Sequence, residues 1–222
     1  MQESSDKDVR EEVSWIILNV IKLGAKELEE GQQHPFYQQL SSDGTISKLI
    51  QQFKNKKDKD IHDEIAQTIA YLFRTLPLPP DIRKDIIEKL KIDSDFDELA
   101  FTAECQDNHD AILNGNYENQ IFKYESDALK YLQLIYHILK YGSNKNKKKV
   151  ALAVKVKVER LLIDEYLDEL IEKYYWNEQK IKEIKPKAKE VLSLIKTVEE
   201  SIEYEGEFEE INSQNIWQNK QE

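Results

Sequence analysis

A single cysteine in 222 residues excludes a disulfide within the chain, and Cys105 fits a reducing compartment. Six glycines and five prolines are too few for the dense turns of an all-β protein. No run reaches the ~18 unbroken apolar residues of a membrane-spanning helix, and residues 1–9 lack the charged-then-apolar pattern of a leader. Basic residues are the minority, 32 against 43 acidic, and the net charge of -11 disfavours nucleic acid while favouring basic partners. There is no Gly-rich phosphate loop, and His34, His62 and His137 stand without a serine or cysteine arranged for a triad. These absences set the expectation of a soluble, intracellular protein. It is expected not to be an enzyme and to have no catalytic residue, no metal, no cofactor, no nucleic-acid partner and no membrane partner.

What is present is helix. The chain is 40% hydrophobic and 34% charged, too apolar for disorder. Ser5 or Asp6 can cap a helix from about Asp8. From Val13 to Leu23 it is apolar on more than one face, as expected of a helix packed between neighbours, of which one is missing. Gly44–Phe53, a helix from about Asp60 to residue 76, and Ile82–Leu90 follow as helix, longer helix, proline-marked break and next helix. Further helices are expected at 36–40, 96–113, 125–141, 150–158 and 161–175. Asn114-Gly115-Asn116 should turn the chain, Gly142 should end a helix, Asn144–Lys149 should be a basic turn, and Pro186 should start the last helix. Val150–Val158 also alternates as a strand does, but no partner strand is visible, and helix is expected. The overall expectation is all-α: an armadillo/HEAT-like right-handed α-solenoid of about three repeats over 8–203, with disordered residues 1–7 and an acidic disordered tail at 204–222.

Two helices carry matching spacings. Trp15 and Asn19 share one helix face, as do Gln67 and Tyr71, and Glu12 and Glu64 each stand one turn earlier. An amide that donates and accepts, an aromatic face for a lysine stem and a carboxylate for its ammonium would suit an extended basic peptide. The plainer reading of the same spacing makes Trp15 core and Asn19 a solvated polar residue.

The pattern Glu12-x-x-Trp15-x-x-x-Asn19 resembles the third-helix signature of armadillo repeats in the importin-α family, the adaptors of nuclear import. Asp43-Gly44-Thr45-Ile46 is similar to the family's glycine-led second helix, and Asp60–Ala66 to the start of its next third helix. Asp127–Gly142 is similar to its last full third helix. Tyr166–Glu172, Asn177-Glu178 and Lys187-Ala188 are similar to its terminal half-repeat before an acidic tail. The resemblance implies a concave groove binding basic nuclear-localisation peptides through Trp15, Asn19 and Glu64, with Gln67 and Tyr71 where the family has Trp and Asn. It also implies residence in cytoplasm and nucleus, and contact with a nuclear export receptor through the C-terminal region. The family's basic N-terminal segment and earlier repeats have no counterpart in these residues. A general armadillo/HEAT scaffold of cytoskeletal or signalling type, without an import role, is the alternative.

Two other patterns carry less. Asp93, Asp95, Asp97 and Glu104 take EF-hand spacing, but Glu98 holds the position that needs glycine. Cys105 and His109 form a possible metal half-site with no second pair.

Overall fold

Aliphatic side chains at helical spacing fold as helices throughout the described part of this computed structural model, residues 2–55, 61–93, 95–123 and 125–218. Side chains are described over 7–55, 61–93, 95–123 and 125–201; the backbone of 2–7 and 204–218, expected to be disordered, is helical, and the first helix, expected from about Asp8 with a cap at Ser5 or Asp6, begins at Gln2. Among the described residues the fold is all-α, without a strand. The chain divides into two units, Met1–Tyr117 and Glu118–Glu222.

The first unit contains α1 (Gln2–Ala25), α2 (Tyr37–Ser42), α3 (Thr45–Lys54), α4 (His62–Leu72), α5 (Arg83–Ile92), α6 (Phe96–Thr102) and α7 (His109–Ile112). Asp60, the expected start of the fourth helix, lies outside the described residues. Gly44 precedes α3 with φ 79°, a left-handed conformation that glycine adopts without a Cβ penalty. The Asp43 carboxylate accepts from the Thr45 N–H at 2.9 Å. Helix α4 is the centre, packed against α1, α3, α5 and α6. Ala66, Ile69, Ala70 and Leu72 are wholly buried, the two alanines allowing neighbours to approach the backbone.

Helix α1 packs on α4 through Leu18, Ile21 and Ala25, while Val13, Ile16, Val20 and Leu23 face solvent. The expected missing neighbour thus corresponds to an open apolar face. Near its end, a Cβ on Gly24 would come within 2.9 Å of the Phe36 ring and 3.3 Å of the His34 ring, so only glycine fits there. His34 Nε2 donates to the Ile21 carbonyl at 3.0 Å, and its Nδ1 accepts from the Phe36 N–H at 3.2 Å. Burial lowers the His34 pKa, which favours this neutral, doubly bonded ring.

The single helix expected at 96–113 is broken into α6, a 3-10 turn at Gln106–Asn108, and α7. The break is stabilised by buried side chains that replace helical hydrogen bonds. Asn108 accepts from the Leu78 N–H at 3.0 Å and donates to the Thr102 carbonyl at 2.9 Å; His109 donates to the Ala103 carbonyl at 2.7 Å. The turn at 114–116 is as expected, with positive φ at Gly115 and Asn116.

The second unit contains α8 (Ala128–Tyr141), α9 (Asn144–Arg160), α10 (Asp164–Tyr174) and α11 (Glu178–Gln218). Its core is three-sided: Leu132, Ile135 and Ile138 of α8 meet Val150, Val154 and Val158 of α9 and Ile184, Ala188, Val191 and Ile195 of α11. Residues 150–158 are helix, as expected. Asn144–Lys149, however, is not a turn but the start of α9, because the Ser143 hydroxyl caps it by accepting from the Asn146 N–H at 3.3 Å. Pro186 does not start the last helix either. Asn177 caps α11 earlier, accepting from the Lys180 N–H at 2.9 Å, and buried Ile184 and Ala188 hold the helix through the proline.

Candidate functional site

Trp15 lies on the surface of α1, 60% exposed, so the plainer expectation of a core tryptophan does not hold. Asn19, one turn on, is exposed as well, and its amide donates back to the Trp15 carbonyl at 2.7 Å. That bond ties the amide back to the helix's own backbone. The two residues therefore share an accessible face, as their spacing requires.

The α4 residues behave differently. Glu64 is half-buried, and its Oε2 is buried without a hydrogen-bond partner among the described residues. Gln67 and Tyr71 are half-buried and already engaged, by a lysine of the same chain. The Lys22 ammonium donates to Gln67 Oε1 at 3.0 Å, pairs with Glu98 at 3.1 Å, and lies 5.6 Å from the centre of the Tyr71 ring. Amide, carboxylate and aromatic face thus meet around one ammonium, the chemistry expected for a basic ligand, with Lys22 in the ligand's place.

The cluster holds more negative charge than Lys22 neutralises. Gln67 turns its amide N–H to Asp95 at 3.0 Å. Burial, and then the charge of Glu98, push the Asp95 pKa up to about 6. Burial raises the Tyr71 phenol too, reinforced by Glu98, whose carboxylate accepts its hydrogen bond.

An open groove of about 580 Å³ runs beside this cluster, lined by Asn19, Lys22, Leu23, Lys26, Tyr71, Arg74 and Phe101 among others. Tyr71 and Phe101 stack with centroids 5.0 Å apart, and the Arg74 guanidinium covers Phe101 at 4.8 Å. Arg74 is neutralised beneath the groove by Glu104 at 2.6 Å, and Glu104 also accepts from the Gly31 N–H at 2.9 Å. Both side chains are buried, and burial raises the Glu104 pKa against those two opposing contacts.

The other patterns do not assemble a site. Asp93 pairs with Lys89 at 3.0 Å, Asp95 bonds Gln67 and Glu104 bonds Arg74, so the EF-hand-like carboxylates turn to separate partners. His109 is wholly buried and bonded to the backbone, whereas Cys105 is only half-buried, with its thiol pKa raised by burial. Among the described residues, no three His, Cys, Asp or Glu side chains are grouped to hold a metal ion.

Lys22, Phe101 and Arg74 were not among the candidates that sequence spacing singled out, and Asp95 and Glu98 were noticed only within the EF-hand-like pattern. Lys22 had a signal: residues 15, 19, 22 and 26 follow a 4-3-4 spacing along one helix face. Phe101 on α6 and Arg74 just past α4 have no mark in the local pattern.

In the second unit, Glu125 gathers three donors: Tyr166 at 2.6 Å, Lys173 at 3.1 Å and Tyr174 at 3.3 Å. Led by the Tyr166 hydroxyl, they hold its pKa below the usual carboxylate value, while burial pushes Tyr166 up to about 12.

No protein-family model, curated protein or solved structure matches the chain.

Proposed function

We propose that this chain is a non-enzymatic binding scaffold of armadillo/HEAT type, an α-solenoid of about three repeats that receives an extended segment of a partner protein along α1 and α4. The observation that carries this reading is the exposed Trp15–Asn19 pair beside the groove at Tyr71 and Phe101. A large exposed aromatic next to a positioned amide is the means by which a surface grips a peptide's side chains and backbone together. The sharper form of the proposal is an importin-α-like adaptor for basic nuclear-localisation peptides, acting in cytoplasm and nucleus. Its support is the exposed Trp15–Asn19 pair at the family's spacing and the two carboxylates, Glu98 and Asp95, that stand by Lys22 and by Gln67 on α4's face. A general protein-interaction scaffold without an import role is favoured by a different observation, that Lys22 already fills the α4 slot.

Calorimetry with a poly-basic localisation peptide, at low and physiological salt, separates these. The adaptor form expects about micromolar binding that persists at physiological salt. It should weaken roughly tenfold or more in Trp15→Ala. It should also strengthen in Lys22→Met, because Glu98 is then left without its internal cation. Binding that vanishes with salt and ignores Trp15→Ala and Asn19→Ala would sink the adaptor form, since only diffuse charge would then be at work.

A further inference from the structure

Helix α1 has a second unoccupied face, distinct from that of Trp15 and Asn19. Val9, Val13, Ile16, Val20 and Leu23 are 49% to 71% exposed, and they recur at intervals of 4, 3, 4 and 3 residues. That is the strict spacing of a coiled-coil seam, β-branched at every position except Leu23. At 100° per residue this stripe lies opposite Leu18, Ile21 and Ala25, which attach α1 to its own unit. A partner can therefore cover it without disturbing the fold.

We propose that the partner is a second copy of this chain, docked through an antiparallel α1–α1 pair on a two-fold axis. From Val13 to Leu23 the spacing reads 3-4-3 in either direction, so reversing the helix reproduces the seam. In that register Val13 meets Leu23 of the other copy, and Ile16 meets its Val20, so each layer joins a smaller side chain to a larger one. The charges agree as well. Glu12 on α1 and Lys26, in the turn directly after the helix ends at Ala25, are both exposed, and reversal brings Glu12 of each copy to the end of the other's α1, where Lys26 stands. A parallel pair would set Glu12 against Ile17 and bring like charges level. A two-fold interface uses the same patch twice, which a self-complementary stripe satisfies and a stripe meant for an unrelated partner need not. The paired seam from Val13 to Leu23 spans about one and a half heptads, so it acts as a dock between helices already folded, and about micromolar association is expected.

Sedimentation equilibrium of the full chain up to ~100 µM tests this, since about micromolar association would then be near saturation. A monomer–dimer equilibrium is expected. Ile16→Asp should abolish it with the helical circular dichroism unchanged. Glu12→Lys should weaken it roughly tenfold, and Glu12→Lys with Lys26→Glu should restore it. The proposal is overturned by a chain that stays monomeric at that concentration or by a dimer indifferent to Ile16→Asp. It is equally overturned if the charge exchange does not rescue. Adsorption of a monomeric chain to neutral phospholipid vesicles, lost in Ile16→Asp, would give the stripe to a membrane surface instead.

Discussion

Each of the two units builds a cluster from carboxylates, aromatic rings and a lysine, and the two clusters balance in opposite directions. In the first, Lys22 pairs with Glu98 while Asp95 accepts from Gln67, and burial raises the Asp95 pKa to about 6. In the second, Glu125 alone receives Tyr166, Lys173 and Tyr174, and its pKa falls. Burial decides the first sign, with the charge of Glu98 adding to it, whereas hydrogen-bond donors led by the Tyr166 hydroxyl decide the second. A buried carboxylate costs stability when it is charged, whereas one held by three donors at a partly exposed position adds to stability.

The comparison can be broken most severely at Arg74. Arg74→Met leaves Glu104 buried beside the groove without its cation, and denaturant unfolding should report a loss of about 3–5 kcal/mol. Removing the donors' target in the second unit should cost less. Glu125→Ala is expected to destabilise by about 1 kcal/mol after allowance for its partial exposure. Because the Glu125 pKa is depressed on folding, that contribution is present above about pH 4.5 and disappears as pH falls through the lowered value.

Asp95 should behave in the reverse sense. Its folded pKa lies above the ordinary 3.8, so its charge opposes folding, and the penalty grows as pH rises from about 4 to about 6. Asp95→Asn, which can still accept from Gln67, should therefore stabilise by about 1 kcal/mol above pH 6 and by nothing below pH 4. Unfolding curves for both variants across that range would sharpen the contrast. Curves that move in the same direction with pH would remove it.

The helices were legible in the sequence wherever one repeating face sufficed to define them. Ile65, Ile69 and Leu72 place α4, and Val150, Val154 and Val158 decide helix over strand for α9. What was not legible depended on side chains that reach across. The interruption between α6 and α7 is held by Asn108, bonded to Leu78 thirty residues away, and a local pattern carries no trace of that. The early start of α9 hangs on one serine cap, and the run of lysines there misleads because the helix dipole disfavours cations in a first turn. At the candidate site, spacing put Trp15 with Asn19 and Gln67 with Tyr71, and both pairs do share a face. That Lys22 of α1 would answer the α4 pair is a fact of tertiary packing, decided by how α1 lies on α4.

Pro186 has a consequence for how α11 opens. Lacking an N–H, it leaves the Lys182 carbonyl without its helical partner and interrupts the relay of backbone bonds one turn inside the packed stretch. Fraying that begins at Glu178 meets a joint there, and amides on either side of it need not exchange together. Amide hydrogen exchange should thus divide α11 at the proline, with residues 178–185 opening in shorter excursions than the segment from Ala188 to Ile195, whose Ala188, Val191 and Ile195 lie in the core.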